Sequence, residues 1–282
     1  MTSPATSFAG PVRPLAPLPV AERAPVSRLR VFGALLRRDV RVARRELPYF
    51  LVRTVMQPVL FLIVFGYLLP KMGFVQRGYT SALLPGILAV SLALSSVQSV
   101  ALPMVQDFGF TREIEDRLLA PVPMSLIAIE KVVSGALQGV IAACVVLPIA
   151  RVIMGPMPEL ELTNPLLVLA ITLLGSTLFA SLGLFIGTVI SATQIGLMFS
   201  IIIAPMLMFG CAYYPWRGLD AVPAFKYGVL INPLVYVAEA MRGALTPSLP
   251  HMPLLVSCAA MLVLTALFLM LGLRSFRRRS VG

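Results

Sequence analysis

Six long apolar stretches, separated by short polar segments, dominate the hydrophobic pattern of this chain. They lie near residues 51–69, 83–105, 126–150, 165–190, 195–212 and 253–273. Each is close to the roughly 20 residues that an α-helix needs to cross a bilayer. Only residues 191–194 separate the fourth stretch from the fifth, so a tight turn must join them. The pattern predicts an all-α membrane protein with six transmembrane helices.

The segment before the first apolar stretch has a different, amphipathic pattern. Within residues 28–47, apolar side chains recur every three or four positions (Phe32, Leu36, Val40, Ala43 and Leu47), and arginines fill much of the remainder. A helix of this kind lies in the plane of the lipid headgroups. The alternative is a helix packed on a soluble partner. Residues 1–27 lack the apolar run of a signal peptide, and we predict a disordered cytoplasmic tail there.

Composition supports a membrane protein. The chain has 282 residues, of which 58% are hydrophobic and 12% are charged, whereas a soluble domain carries roughly 25% charged residues. Its formal charge of +11 could indicate nucleic-acid binding. However, ten of the 23 basic residues are arginines within the first 53 positions, and four more lie within residues 274–282. Basic residues that flank apolar segments set membrane topology, so we expect no nucleic-acid partner.

The same charges predict the orientation of the chain. The basic N-terminal segment and a basic tail at residues 274–282 should both be cytoplasmic, which requires an even number of spans. The segment between the second and third spans contains Arg112, Arg117 and Lys131 and should face the cytoplasm. The segments after the first and third spans carry little positive charge and should face outward. The domain spanning residues 28–273 is therefore predicted to lie in the plasma (inner) membrane.

A short charged helix is predicted between the second and third spans. Thr111 is a suitable N-cap, and the acidic residues that follow suit the positive end of a helix dipole. Pro121 and Pro123 end the helix. A helix this short is not stable in isolation, so we expect it to dock on a partner. The alternative is an ordinary solvated loop helix.

Two motifs carry a resemblance to a known family. The run RLLAPVPMSLIAIEKV at residues 117–132 resembles the cytoplasmic signature of ABC-2 type permeases. The run INPLVYVAEAMRGAL at residues 231–245 is similar to that family's second signature, before the last span. The arrangement over residues 28–279 resembles the drug-resistance and nodulation-type permeases. The resemblance implies the membrane subunit of an ATP-driven exporter, whose ATPase is a separate chain.

The resemblance also implies roles for particular residues. Residues 28–47 would form an interfacial connecting helix. The segment 111–120 would be a coupling helix in a cleft of the ATPase subunit, with Thr111, Arg112, Glu113, Glu115, Asp116, Arg117, Leu118 and Leu119 as its contacts. Residues 233–245 would be an outer-leaflet helix, marked by Asn232, Pro233, Glu239 and Arg242, the last two paired at i,i+3. A second permease copy, identical or related, would complete the pathway.

The chain is predicted not to be an enzyme. A Walker motif needs a lysine followed by Ser or Thr, but Lys71, Lys131 and Lys226 are followed by Met, Val and Tyr. ATP and Mg²⁺ should therefore bind the partner ATPase, and we expect neither cofactor nor metal here. The three cysteines have no paired spacing, and His251 has no metal-spaced partner.

The low charge of the spans favours an amphipathic, drug-like or lipid or glycolipid-type substrate. The polar residues that could line its path are Gln98, Ser99, Gln138 and Gln194, although interhelical hydrogen bonds are an equally good role. Two other function classes remain open. An ion-coupled carrier would need an acidic residue within a span, for which Glu130 is the nearest candidate, although snorkelling and pairing beside Lys131 explain its position. The other class is an assembly scaffold without transport.

Two further patterns concern packing. The pairs Gly135 with Gly139 and Gly183 with Gly187 allow close helix approach, first within one subunit and second between copies. Tyr213, Tyr214 and Trp216 are predicted to form an aromatic girdle at the outer interface.

Overall fold

A computed structural model describes residues 55–75, 78–108, 124–155, 160 and 164–281, together with residues 33, 37 and 41. Two predicted elements therefore lie largely or wholly outside the described residues. These are the interfacial helix at 28–47, of which only the helical residues 33, 37 and 41 are described, and the coupling helix at 111–120.

The described part of the chain is helical and contains no strand. Helix α1 is described over Val55–Lys71, followed by α2 (Tyr79–Gln106), α3 (Met124–Met154), α4 (Pro165–Val189), α5 (Ile195–Met208), α6 (Pro223–Gly228), α7 (Pro233–Leu245) and α8 (Leu254–Val281). Four of these, α2, α3, α4 and α8, are long and apolar enough to cross a membrane, whereas α1 and α5 are shorter apolar helices.

The predicted spans agree well with the long helices. Helices α2, α3 and α4 begin and end within four residues of the predicted bounds. The last helix differs, because α8 continues through the basic segment predicted to be a tail and ends at Val281. The fifth stretch also differs, because its helix ends at Met208, four residues before the predicted bound.

Helix α2 lies at the centre and packs against α3, α4 and α7. Glycines on its neighbours allow this approach. A Cβ added to Gly139 of α3 would lie 2.8 Å from Ser176 Oγ and 3.1 Å from the Leu92 carbonyl oxygen. A Cβ added to Gly187 of α4 would lie 2.8 Å from Met104 Cβ. The predicted close approaches therefore pack helices within one subunit.

These contacts also fix the relative directions of the helices. Gly175 of α4 faces Leu92 of α2, and Gly187 faces Met104, so α2 and α4 run in the same direction. Gly272 of α8 faces Leu184, and α8 runs parallel to α4. Helix α3 runs the opposite way, because Gly135 faces Val100 whereas Gly139 faces Ser96. The C-terminal ends of α2, α4 and α8 therefore meet the start of α3 at one end of the bundle, which we call the basic end.

The basic end contains Lys131 and the four arginines of α8. Glu130 is 0% exposed and Lys131 8% exposed at the start of α3. The snorkelling predicted for Glu130 is not observed, because both carboxylate oxygens are buried, whereas the pairing predicted beside Lys131 stays a prediction. The start of α3 packs against α2, α4 and α8 in a shared apolar cluster around Phe276, which shields the Glu130 position from solvent.

At the opposite end the chain is irregular between α5 and α8. Residues 209–215 are not helical, and Cys211 has a left-handed φ of 52°. Short 3₁₀ turns follow at Trp216–Ala221 and Val229–Ile231, on either side of α6. Helix α7 then packs against α2, α4 and α8. Irregular backbone in an apolar protein must find hydrogen-bond partners within the protein. Some lie within the segment itself, and side chains of α7 supply others.

Candidate functional site

Helix α7 begins at an Asn-Pro pair. Asn232 Oδ1 accepts a hydrogen bond of 2.9 Å from Leu234 N, which caps the helix, and Pro233 occupies the first helical position, where its missing N–H costs nothing. Asn232 Nδ2 donates to the Met206 carbonyl oxygen over 2.7 Å. The amide therefore starts α7 and also ties it to the end of α5.

Glu239 and Arg242 form an ion pair on α7. Arg242 Nη1 donates to Glu239 Oε1 over 2.8 Å, and both side chains are 0% exposed. The pairing predicted at i,i+3 is present. Removing two charges from water is costly unless their remaining donors and acceptors are also satisfied, so the other contacts of the pair decide its effect on stability.

Glu239 accepts two more hydrogen bonds, both from backbone amides. Trp216 N donates to Oε1 and Met252 N donates to Oε2, each over 2.8 Å. Trp216 is the first residue of a 3₁₀ turn, so its amide has no acceptor within that turn. Met252 lies just before α8. Glu239 thus fastens the chain on both sides of α6 and α7.

Arg242 uses its remaining donors on two carbonyl oxygens. Nε donates to Ala82 O in the first turn of α2, and Nη2 donates to Ala212 O in the irregular segment, both over 3.0 Å. Burial lowers the pKa of the Arg242 guanidinium and Glu239 opposes that shift, while an arginine stays protonated in proteins.

We call this cluster the polar hub, and it consists of Ala82, Ala212, Trp216, Glu239, Arg242 and Met252. Each nitrogen of the guanidinium and each oxygen of the carboxylate has a partner. The hub therefore takes the place of water for irregular backbone, and its role is to hold α2, α7, α8 and the segment 209–216 together.

An apolar groove of about 660 Å³ opens at the start of α7. It lies between α5, the segment 224–233, α4 and α8, and its walls include Ile201, Met206, Phe209, Phe225, Val229 and Phe268. Its size is that of a small-molecule site, about 300–1,000 Å³. Among the described residues of the lining, Asn232 is the one with a polar side chain, and that amide is already bonded. The groove suits an aliphatic or aromatic ligand.

Three of the four predicted path residues lie on the helices α2 and α3, which pack against each other. Gln98 and Ser99 lie half-buried on α2 and Gln138 half-buried on α3, where Ser99 Oγ donates to the Ser96 carbonyl oxygen of its own helix. Gln194 is exposed in the turn between α4 and α5. Ser95 Oγ donates to the Gln138 carbonyl oxygen over 3.1 Å, and a Cβ added to Gly135 would lie 3.1 Å from Ser99 Oγ, so Ser99 and Gln138 belong to one contact between α2 and α3. None of the four is among the described residues that line the groove, and their role in a substrate path stays a prediction.

The aromatic residues predicted as a girdle have specific contacts. Tyr213 packs on Phe61 and Phe65 of α1, with ring centroids 4.9 Å and 5.6 Å apart. The Trp216 indole N–H donates to the Lys226 carbonyl oxygen over 3.0 Å. Among the described residues, no three His, Cys, Asp or Glu side chains come together as a metal site.

Asn232→Ala should lower the free energy of unfolding by about 2–3 kcal/mol, because it removes an N-cap, worth about 1 kcal/mol, and leaves the buried Met206 carbonyl without its partner. Asn164→Ala is the matched control. Asn164 caps α4 through Leu167 N, and that cap is exposed, so this change should cost only about 1 kcal/mol. The measurement is chemical unfolding in detergent. Equal costs would show that the bond to Met206 contributes nothing.

Comparisons with known proteins agree with this architecture. The family model of the ABC-2 type transporter matches residues 30–246. The inner membrane transport permease YadH of Escherichia coli K12 is 27% identical over 201 residues, which cover 68% of this chain and 75% of YadH. YadH of Escherichia coli O157:H7 and of Shigella flexneri match to the same extent. The family match extends from before α1 to the residue after α7, so it includes the polar hub except Met252, and the chain belongs to the ABC-2 type transporter family.

Proposed function

We propose that this permease, the membrane subunit of an ABC transporter, moves an amphipathic drug-like, lipid or glycolipid-type substrate out of the cell. The observation that carries the proposal is the apolar groove at the start of α7. Among the described residues of its lining, the one polar side chain, Asn232, is already bonded. A strongly anionic substrate would find no cationic partner in that lining. The hydrophobic part of an amphipathic molecule would bury apolar surface there.

The proposed topology has six spans with both termini in the cytoplasm. It is supported by the directions of the helices, since α2, α4 and α8 end together where the arginines of α8 lie. An excess of arginine marks the cytoplasmic side. The polar hub and the groove opening would then lie toward the outer side. The relatives are named inner membrane permeases, and we propose the same membrane for this chain.

The proposed partners are a separate ATPase subunit, which binds ATP and Mg²⁺, and a second permease copy. The ATPase would seat the coupling helix at 111–120. ATP binding would move that helix and reorient the spans. The support is the charged sequence of this segment and the placement of its two flanking helices, since α2 ends and α3 begins at the basic end of the bundle.

Charge reversal in the coupling helix should separate the two subunits. We expect Glu113→Arg/Asp116→Arg to abolish co-purification of the permease with its candidate ATPase in nanodiscs, because two attractive contacts become repulsive and like-charge juxtaposition costs several kcal/mol. The matched control is Glu159→Arg/Glu161→Arg, which makes the same charge change in a segment predicted to face outward. The control should retain the ATPase. An intact complex in both variants would contradict the coupling role.

The substrate class is tested by transport in inside-out vesicles. ATP-dependent uptake of a fluorescent phospholipid or of a hydrophobic dye would support the proposal. Uptake of a small, strongly anionic compound in place of both would overturn it.

A further inference from the structure

Arg279, in the last turns of α8, caps the C-terminal end of α4. Its Nη1 donates to the Thr188 carbonyl oxygen over 2.9 Å and to the Ile190 carbonyl oxygen over 3.0 Å. Helix α4 ends at Val189. The last carbonyl groups of a helix accept no hydrogen bond from an N–H of the same helix. A guanidinium at this position also suits the negative end of the helix dipole. Arg279 therefore joins the ends of α4 and α8.

The same guanidinium also contacts the end of α2. Its central carbon lies 4.8 Å from the centroid of the Phe108 ring, and the Phe108 ring meets the edge of Phe276 at 5.7 Å. A guanidinium over an aromatic face is a favourable cation–π contact. Phe108 immediately precedes the segment 109–123, which contains the proposed coupling helix.

The other arginines of α8 are placed differently. Arg274, Arg277 and Arg278 are exposed, as expected for side chains that interact with lipid headgroups. Arg279 is half-buried and has partners on two other helices. General attraction to anionic lipid does not require such a placement, which indicates a separate role.

We infer that Arg279 is a positioning residue that transmits movement of the segment 109–123 to α4 and α8. This inference rests on the proposed function, because it takes that segment to be the ATPase contact. A displacement of Phe108 acts on the Arg279 guanidinium, which holds the end of α4 through two carbonyl oxygens. One side chain thus couples three helix ends, and α4 and α8 extend from there to the groove, where Leu182 and Phe268 line the wall.

The test is a distance measurement on the full complex in nanodiscs. Spin labels are placed at the far end of the bundle, at Val152→Cys and Leu255→Cys, whose native residues are 85% and 83% exposed. Cys144 and Cys258 are replaced by serine, and the buried Cys211 is retained. The distance distribution is recorded without nucleotide and after trapping with ATP and vanadate, in the parent and in Arg279→Ala, Arg279→Lys and Arg278→Ala.

We expect Arg279→Ala to retain the ATPase subunit but to lower the ratio of shifted to resting populations by about twofold to thirtyfold, the range for mutations along a coupling route. Arg278→Ala should behave as the parent, and Arg279→Lys should recover part of the shift. A full shift in Arg279→Ala, or an equal loss in Arg278→Ala, would overturn the inference. If Arg279→Ala does not fold, the same ratio is measured in Phe108→Leu. A full shift in that variant would also overturn the inference. Loss of the ATPase from Glu113→Arg/Asp116→Arg reports separately on the proposed function.

Discussion

We expect Arg242→Met to lower the free energy of unfolding by about 3–5 kcal/mol, because it leaves the buried Glu239 carboxylate without its cation. The same change removes the donors to Ala82 O and Ala212 O. Both carbonyl groups belong to segments that the hub joins, so the loss affects α2 and the irregular segment 209–215 together. Methionine fills similar volume, so the cost reports on the lost polar contacts.

The measurement is chemical unfolding in detergent, followed by the fluorescence of the single tryptophan, Trp216. This residue is a sensitive probe because its backbone amide is bonded to Glu239. Asp220→Asn is the control. It breaks the ion pair between Asp220 and Lys226, in which the Asp220 side chain is 66% exposed, and should change stability by at most about 1 kcal/mol. Equal stability of the two variants would show that the hub does not hold the fold.

Replacing both charges of the hub should not restore stability. A Glu239→Gln/Arg242→Met variant has no unpaired charge, yet the backbone groups that the pair satisfied still need partners. The amides of Trp216 and Met252 depend on position 239, and the two carbonyl oxygens depend on position 242. The ion pair therefore stabilises the protein mainly through its hydrogen bonds to irregular backbone, and less through the attraction between its two charges. An apolar replacement would leave those backbone groups without partners and is unfavourable here.

The sequence predicts much of the helical framework. Apolar length and flanking polar residues place α2, α3 and α4 within four residues of their observed bounds. The pair on α7 follows from the family resemblance, which implies a helix over residues 233–245 and so places positions 239 and 242 on one helical face. The glycine pairs predict close approach, and the structure adds that the partners are on α2.

The contacts of the hub could not be predicted in this way. The partners of Glu239 and Arg242 are backbone atoms of residues 82, 212, 216 and 252, and no side-chain type marks a backbone partner. Nor does the sequence show that the fifth apolar helix ends at Met208 or that Cys211 adopts a left-handed φ. The signal that was available is the presence of two charged residues within an otherwise apolar helix of 13 residues.

The groove was missed for a related reason. Its walls come from four parts of the chain, and its apolar residues look like any other lipid-facing residues in the pattern. Polarity within the spans selects residues such as Gln98 and Gln138, whose role in a path stays a prediction, and it cannot indicate an apolar surface. The groove is concave only because α5 and the segment 224–233 pack against α4 and α8. That packing distinguishes it from an ordinary lipid-facing surface.

The function class of this protein follows from its family membership and not from its residues alone. The residues alone left an ion-coupled carrier and a scaffold open beside the ABC permease. The family match over residues 30–246 decides for the membrane subunit of an ABC transporter. Glu130 is buried at the basic end beside Lys131, where the predicted pairing of the two stays a prediction.

The second large effect is expected at Gly86, on the face of α2 that approaches the irregular segment. An added Cβ would overlap the carbonyl group of Ala212 and lie 2.8 Å from Ala212 Cα. This backbone cannot move away freely, because Arg242 Nη2 holds the carbonyl oxygen. We therefore expect Gly86→Ala to lower the free energy of unfolding by at least about 3 kcal/mol, at the upper limit of ordinary overpacking.

Gly228→Ala is the matched control for Gly86→Ala. Gly228 has nothing within 4 Å of an added Cβ and a helical φ of −61°. Alanine there should raise the free energy of unfolding by about 0.4–1 kcal/mol through the entropy of the unfolded chain. The two substitutions are chemically identical and should have opposite signs in the same unfolding measurement.

A double-mutant cycle then connects the two large effects. Gly86→Ala displaces the Ala212 carbonyl, and Arg242→Met removes its donor, so both act on the same atom. Their costs should be less than additive by about 0.5–3 kcal/mol, as for residues that share a partner, because the second change removes a bond that the first has already broken. If the two losses of unfolding free energy simply add, Gly86→Ala destabilises the protein only by separating the helices. The Ala212 carbonyl then does not link α2 to the hub.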